Sequence, residues 1–306
     1  MKTILITGSC GFVGKNLLYK LINKENYNII ATYYNKKPGE HFKKKNNLKF
    51  IKIDLTKAKH YERLPRCINY IIHLAANRDS LLNSKEGEKQ IFSNYCMTQN
   101  LLNFSKQIKC KYFIFFSSVY IYSGVNRSKF IESFTPIPKE PLGLSKYICE
   151  NIIKKATLDS NLKCISFRTF TTYGPFSSSK QLVSSSLKKI LSKKSIIKFG
   201  NSKMKRDFIY IDDVTKAIEI SLIKIKKVKN IEIINLGYGK SLTVKECVDV
   251  ILKVAKIKKK IVYNDSKKLN QGDTDHIGDF KKIKKFLNWH PSISFQSGIS
   301  KLLRSK

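Results

Sequence analysis

The chain carries no Cys-x-x-Cys pair and no Cys/His cluster at metal-ligand spacing, and its seven cysteines stand singly. That leaves no framework for a structural zinc ribbon. An odd count without a secretion pattern reads as reduced thiols. Long apolar runs are also missing: Asn23, Lys24, Glu25 and Asn26 interrupt the first apolar stretch, so nothing reaches bilayer-spanning length. The N-terminus lacks the basic, apolar, then small-residue order of a signal peptide, because Met1-Lys2 leads straight into Thr3-Ile4-Leu5-Ile6. These absences predict a soluble, cytoplasmic protein with no membrane partner and no metal.

Acidic residues are scarce, with 22 Asp and Glu against 59 Lys and Arg and a net charge of +37. Such a surplus raises nucleic acid as a partner. The lysines, however, are spread over most of the chain. Runs such as Lys43-Lys44-Lys45 and Lys258-Lys259-Lys260 lack interleaved aromatics of the kind that stack on bases. The surplus reads as a solvated basic surface whose field favours small anionic ligands, and no nucleic-acid partner is expected.

Length and patterning predict an α/β protein. The 306 residues, 42% of them hydrophobic, suffice for one large domain with a lobe. Short β-type runs at Lys2–Thr7, Asn28–Tyr33, Lys49–Ile53, Tyr70–Leu74, Tyr112–Ser117, Lys163–Arg168 and Glu232–Leu236 alternate with amphipathic stretches. That alternation is the signature of a parallel sheet with crossover helices. Helices are expected from Gly11 to about Asn23, over Glu88–Lys106, from Gly143 to about Leu158, near Gln181–Ser192, from Asp212 to about Ile223 and over Thr243–Ala255. The expected architecture is a doubly wound, Rossmann-type sheet with a smaller, interleaved C-terminal substrate lobe. Residues 1–172 would form the dinucleotide-binding domain, with 207–236 returning to it. Residues 173–206 and 237–306 would form the lobe.

The sharpest local signal is Thr7-Gly8-Ser9-Cys10-Gly11-Phe12-Val13-Gly14, placed after the first strand and opening the first helix. Gly8 suits a tight turn, Gly11 lets backbone approach a pyrophosphate, and Gly14 lets helix and sheet pack closely. The helix N-terminus offers N–H groups and the positive end of its dipole to phosphate.

The spacing TGxxGxxG resembles that of the short-chain dehydrogenase/reductase family, and later motifs resemble its extended branch, which modifies nucleotide-activated sugars. Asp54-Leu55 resembles the acidic pair that holds the adenine amino group. His73-Leu74-Ala75-Ala76 resembles the H-x-A-A segment lining the cofactor, and Asn94 matches a structural Asn of the long helix. Ser117-Ser118-Val119-Tyr120-Ile121-Tyr122 is similar to the branch's S-S-x-x-V-Y segment. Arg168 through Tyr173-Gly174-Pro175 is similar to its R-x-x-x-x-Y-G-P turn, and Arg206-Asp207-Phe208 through Val214 to its R-D-F-x-x-V-x-D-V segment. The resemblance assigns Gly8, Cys10, Gly11, Phe12, Val13, Gly14, Asp54, Leu55, Leu74, Ala75, Ala76, Asn94 and Lys146 to an NADP(H) or NAD(H) cofactor. It assigns Ser118, Thr171 and Arg206 to a nucleotide-sugar substrate. Guanidinium forks match phosphate oxygens, which suits Arg206 to a diphosphate. No acid stands at the end of the second strand, Ala31-Thr32-Tyr33-Tyr34-Asn35-Lys36-Lys37, to bind a ribose 2′-hydroxyl, so the reading leans to NADP(H).

In the resembled family the reaction centre is a Ser or Thr, a Tyr, and a Lys four residues after the Tyr. Ser118 and Lys146 match, but the tyrosine position is Leu142. A leucine carries no proton, and losing a positioned acid/base costs about 10² to 10⁴ in rate. Tyr120 is the preferred substitute: an extended backbone would point it the same way as Ser118, two residues before it. Tyr147, one residue past Lys146, is turned about 100° around its helix and is the weaker candidate. Val119 and Tyr120 stand where the family's dehydratases carry an acid pair, which disfavours dehydration. Asn270 in Asn270-Gln271-Gly272-Asp273 replaces an Arg of an R-x-G-D segment, removing a charge-assisted contact. The stretch from Asp279 to Trp289-His290-Pro291 resembles the family's structural ending.

The leading expectation is an NAD(P)-dependent sugar-nucleotide epimerase or 4-keto reductase, serving surface-polysaccharide synthesis by resemblance. The alternative is a catalytically impaired dinucleotide- and sugar-nucleotide-binding protein of the same fold, marked by Leu142. A third class, an RNA-associated protein, is separated by salt: nucleic-acid affinity falls steeply with it and pocket binding of NADPH much less. By analogy with the family, a homodimer is expected through helices Glu88–Lys106 and Gly143–Leu158.

Overall fold

The computed structural model describes residues 1–42, 45–78, 84–127, 129–265 and 276–304. In the first half, strands β1 (Lys2–Thr7), β2 (Tyr27–Tyr33), β3 (Leu48–Lys52), β4 (Tyr70–His73), β5 (Tyr112–Ser118) and β6 (Lys163–Thr169) alternate with helices. These are α1 (Phe12–Leu21), α2 (Ser84–Gln107) and α3 (Pro141–Leu158). The second half adds β7 (Thr171–Tyr173), α4 (Leu182–Ile190), β8 (Ile196–Phe199), β9 (Lys205–Tyr210), α5 (Ile211–Lys224) and β10 (Ile231–Leu236). After these come β11 (Ser241–Thr243), α6 (Val244–Ala255), β12 (Lys260–Tyr263), α7 (Lys281–Leu287) and α8 (Phe295–Arg304).

Seven strands form one parallel sheet in the order β10-β6-β5-β4-β1-β2-β3. The chain runs outward from β1 to β3, crosses back to β4, and proceeds to the other edge. The strand order therefore reverses between β1 and β4, where ligands bind in sheets of this kind. Each central strand is apolar on both faces. Ile4 and Ile6 of β1 enter one core while Leu5 enters the other, and Ile114 and Phe116 of β5 oppose Phe113 and Phe115 in the same way. Period-two side chains that are apolar throughout require helices on both faces. Here α1 packs beside α5 on one side, and α2 beside α3 on the other.

Two small sheets lie outside the main one. β11, β9 and β7 form a three-stranded sheet, and β12 pairs in parallel with β8. The carboxylate of Asp213 ties the C-terminal segment to α5, accepting hydrogen bonds from the backbone N–H groups of Ser292 and Ile293. Among the described residues no helix is long and apolar enough to cross a membrane, and no cluster of His, Cys, Asp and Glu is arranged to hold a metal ion.

The end of β6 and the body of α3 are joined by a buried ion pair. Arg168 on β6 and Glu150 on α3 are each 3% exposed, with Nη2 2.7 Å from Oε2 and Nε 3.2 Å from both carboxylate oxygens. The remaining Arg168 nitrogen, Nη1, donates to Tyr122 Oη at 2.7 Å, and Tyr122 donates to Asn235 Oδ1 of β10 at 3.0 Å. Ser166 Oγ donates to the same Glu150 carboxylate at 3.1 Å. Removing one partner leaves a charge buried and unpaired, which costs about 3–5 kcal/mol. Glu150→Ala should lower the unfolding free energy by about that amount in urea titrations. A loss near zero would mean that the pair does not hold α3 to the sheet.

Candidate active site

The turn between β1 and α1 is built as its glycines demand. Gly8 has φ +64, and a Cβ there would lie 2.7 Å from the backbone nitrogen of Ala75. A Cβ on Gly14 would lie 2.4 Å from the carbonyl oxygen of Gly8. The turn is thus pressed against the loop that follows β4 and against its own helix. Gly11 is the N-cap of α1 and no side chain caps that helix. Its first N–H groups, at Phe12 and Val13, have no acceptor within the helix, and an uncapped helix N-terminus of this kind suits an anion. Cys10 is buried beside Ser9, and burial pushes its thiol pKa up.

A polar chain holds this turn to its neighbours. The Thr98 hydroxyl spends its proton on the Asn94 carbonyl or the Cys149 sulfur. It therefore accepts from His73 Nε2 at 3.1 Å, leaving Nδ1 to accept from Thr7 Oγ1 at 2.8 Å. Thr7 Oγ1 in turn accepts the N–H of Ala75 at 3.2 Å. Burial, with the nearby Lys146 charge, pushes the His73 pKa down to about 3, so the ring is neutral as this pattern requires. Asn94 uses both ends of its amide: Oδ1 accepts from the N–H of Asn77 at 2.7 Å, and Nδ2 donates to Asn77 O and Ser145 Oγ.

A cavity of about 560 Å³ opens beyond the carboxyl ends of β4, β5 and β6. Phe12 and Val13 wall it from α1, and Leu74 and Ala76 from the loop after β4. Ser118, Tyr120 and Lys146 line it together with Leu142, while Thr171 and Arg206 enter from β7 and β9. Ser118, Tyr120, Lys146, Thr171 and Arg206 thus converge on one space. Gly8, Cys10, Gly11, Gly14 and Ala75 form the turn and loop behind it. Asp54 and Leu55 lie beyond β3: the Asp54 carboxylate accepts from Thr56 N and Oγ1, and the Leu55 carbonyl accepts from Tyr61 and Asn100. Asn270 through Asp273 lie outside the described residues.

The expected extended backbone at Tyr120 is not what forms. Val119–Tyr122 is a 3₁₀ turn with Ser118 as its N-cap, Oγ accepting from Tyr120 N at 3.3 Å. A serine at a strand end followed by a turn satisfies the first free N–H with its own hydroxyl. The turn rests on α3 so closely that a Cβ on Gly143 would lie 2.4 Å from Tyr120 O. Tyr120 reaches the cavity from this turn, whereas Tyr147 packs against the cluster of Val119, Ile121 and Tyr122 instead.

The family description "NAD dependent epimerase/dehydratase family" matches residues 4–237. The chain belongs to that family. Among its relatives, a dTDP-4-dehydro-6-deoxyglucose reductase of Escherichia coli is 28% identical over 99% of this chain and 96% of its own. A UDP-glucuronate 4-epimerase of Thermodesulfobacterium geofontis is 28% identical over 97% of this chain and 94% of its own. The crystal structure of a Thermotoga maritima UDP-glucose 4-epimerase with UDP-glucose superimposes with a TM-score of 0.86, at 27% identity, covering 99% of this chain and 97% of that one. A Bacillus cereus UDP-glucuronic acid 4-epimerase mutant, in complex with a fluorinated UDP-sugar and NAD, gives a TM-score of 0.88 at 25% identity, covering 99% and 98%.

Within this epimerase/dehydratase fold, the electrostatics of the cavity are set by burial. Lys146 is 6% exposed, with Nζ 4.7 Å from the Phe115 ring centroid. Desolvation pushes its pKa down to about 8, opposed first by Cys149 and last by Glu150, with the Arg78 charge adding to the lowering between them. Asp207 and Asp212 are engaged away from Arg206. Asp207 accepts from the N–H groups of Tyr238 and Gly239, and Asp212 pairs with Lys301 at 3.1 Å.

Several residues that line the cavity were not singled out in the sequence, among them Arg78, Thr172 and His276. His276 is 1% exposed and follows a segment read only for its missing arginine. Nothing in the local sequence distinguishes this histidine, because its place depends on a bridge to Arg206 from a distant strand.

Lys146 gives a pH signature. Its folded pKa lies below the unfolded value of 10.5, so its contribution to stability is present above about 10.5 and lost as pH falls through about 8. The gain in stability on Lys146→Met should therefore be largest below pH 8 and shrink as pH rises toward 10.5. Urea unfolding of both proteins across that window measures the difference, and a flat difference would contradict a desolvated lysine.

Proposed function

We propose that this protein is an NAD(P)-dependent epimerase or 4-keto reductase acting on a nucleotide-activated sugar. The observation that carries this reading is the single cavity lined by Ser118 and Lys146 on one side and Arg206 on the other, beside the open N-terminus of α1. Arg206 and Thr171 would bind the substrate phosphates. Gly8, Gly11, Gly14, Phe12 and Val13 would cradle the cofactor pyrophosphate, while Asp54 and Leu55 would serve its adenine end. Leu74, Ala75 and Ala76 would line its path, and Lys146 would grip the ribose beside the nicotinamide. Asn94 serves the cofactor indirectly by holding the loop after β4. A bound nicotinamide supplies hydride transfer to or from a sugar carbon.

The chain itself must move the proton at the sugar oxygen. Ser118 can orient that oxygen. With Leu142 lining the cavity in place of a tyrosine, Tyr120 is the phenol left to give or take the proton. Val119 and Tyr120 offer no carboxylate for eliminating water, which favours epimerisation or ketone reduction over dehydration. No carboxylate stands over residues 33–37 either, and the exposed Lys36 and Lys37 suit a 2′-phosphate, so NADP(H) is the cofactor we favour. Exposed Phe92 and Tyr95 on α2, with Leu144 on α3, favour a homodimer through these helices.

Purified protein would be offered UDP-, GDP-, CDP- and dTDP-sugars and their 4-keto forms with NADH and NADPH in deuterated water, with products read by mass spectrometry. A product two hydrogens richer marks a reductase. Altered stereochemistry at constant composition marks an epimerase. Tyr120→Phe should reduce kcat by about 10² to 10⁴ with little change in KM. Full activity in that variant would remove Tyr120 from the mechanism. Leu142 also favours a second reading, a protein that binds cofactor and sugar nucleotide without turnover. Binding without conversion across the panel, unrestored by Leu142→Tyr, would establish it.

A further inference from the structure

His276 is the most conspicuous polar group of the cavity that the reading above does not use. Its side chain is almost wholly enclosed, yet neither Nδ1 nor Nε2 has a hydrogen-bond partner among the described residues. Burying two polar nitrogens unpaired is costly, and such groups call for a partner that arrives later.

The position of the ring is not accidental. The His276 backbone is tied on both sides: its N–H donates to Lys205 O at 3.3 Å, and its carbonyl accepts from Asp207 N at 3.0 Å. This makes His276 the bridge partner of Arg206, and both side chains line the same cavity. The Tyr120 ring packs edge-to-face on the imidazole, with centroids 5.2 Å apart and planes at 90°. A histidine fixed between the diphosphate candidate Arg206 and the proton candidate Tyr120 stands where the sugar of a nucleotide sugar would lie.

We propose that His276 is a specificity-determining residue that hydrogen-bonds the sugar, pairing one imidazole nitrogen as donor and the other as acceptor with hydroxyl or carbonyl groups of the substrate. This rests on the sugar-nucleotide reading above. Burial first, and the Arg206 charge after it, push the His276 pKa down to about 3, so the ring is neutral in the free protein. A neutral imidazole offers one donor and one acceptor, which matches a hydroxyl and mismatches a phosphate that only accepts. Arg206 would take the phosphate and His276 the sugar.

The test separates the two parts of the ligand. Binding of UDP and dTDP is compared with that of UDP-glucose and dTDP-glucose, by calorimetry, in wild-type protein, His276→Phe and His276→Asn. The expected result is that His276→Phe weakens the nucleotide sugars at least about tenfold while the free diphosphates bind unchanged. His276→Asn, which keeps one donor and one acceptor, should recover part of the loss. In protein labelled with ¹⁵N-histidine, the signal absent from His276→Asn should show a neutral ring that shifts with UDP-glucose or dTDP-glucose and not with UDP or dTDP. Equal affinities in wild-type and His276→Phe protein, or an imidazole signal indifferent to the sugar, would overturn the role of His276 and leave the sugar-nucleotide reading standing. If His276→Phe fails to fold, the wild-type imidazole signal decides alone. Wild-type protein that binds the diphosphates no less tightly than their sugars, with no shift at His276, overturns the proposal. Wild-type protein that binds none of the UDP-, GDP-, CDP- and dTDP-sugars offered above, nor their nucleoside diphosphates, overturns the function proposed above together with this one.

Discussion

The buried pairing of Arg168 with Glu150 is the constraint on which the cavity depends. The guanidinium sits on β6, one residue before Thr169 of the cavity wall, and the carboxylate on the buried face of α3. Two charges this enclosed are stable only when every hydrogen-bonding position is filled, and here Tyr122, Ser166 and the Glu132 carbonyl fill them. The geometry that meets this demand also fixes the parts of the site. Tyr122 ends the 3₁₀ turn that begins at Ser118, so anchoring its hydroxyl to Arg168 and Asn235 sets where Ser118 and Tyr120 stand. Glu150 lies one turn beyond Lys146 on the same helix, so the pair also fixes the depth at which that lysine is buried.

The second wall of the site is held by neutral polar contacts. The chain from Thr98 through His73 and Thr7 to the Ala75 N–H crosses the point where the strand order reverses. It presses the loop after β4 onto Gly8, where no side chain fits. Asn94 then reaches from α2 to Ser145, whose hydroxyl donates to the carbonyl of Leu142. The first turn of α3 is thus supported although its side chain at 142 is a leucine. That turn is held in place around a residue that cannot transfer a proton, and under the proposed function the proton falls to Tyr120.

Much of the sheet was legible because its strands are apolar on both faces and separated by helical patterns. Lys2–Thr7 forms as read, and the other main strands differ by one residue at an end or so. The strands of the small sheets were not read as strands. β7, β8, β11 and β12 are three or four residues long and half-exposed, and only their partners make them strands. The turn at 119–122 was misjudged for a related reason. Val-Tyr-Ile-Tyr has the composition of a strand, and the Ser118 cap with the close approach of Gly143 overrides it.

The sequence by itself determined the glycine turn, the alternation of strands and helices, and the absence of a tyrosine at position 142. Each is a property of residues adjacent or regularly spaced along the chain. Which side chains share the cavity was decided only by tertiary structure. Arg206 and His276 are brought side by side by a backbone bridge between segments 70 residues apart, and Tyr120 meets that histidine only because a 3₁₀ turn redirects it. Contacts of this kind are set by packing and long-range hydrogen bonds, for which no local pattern exists.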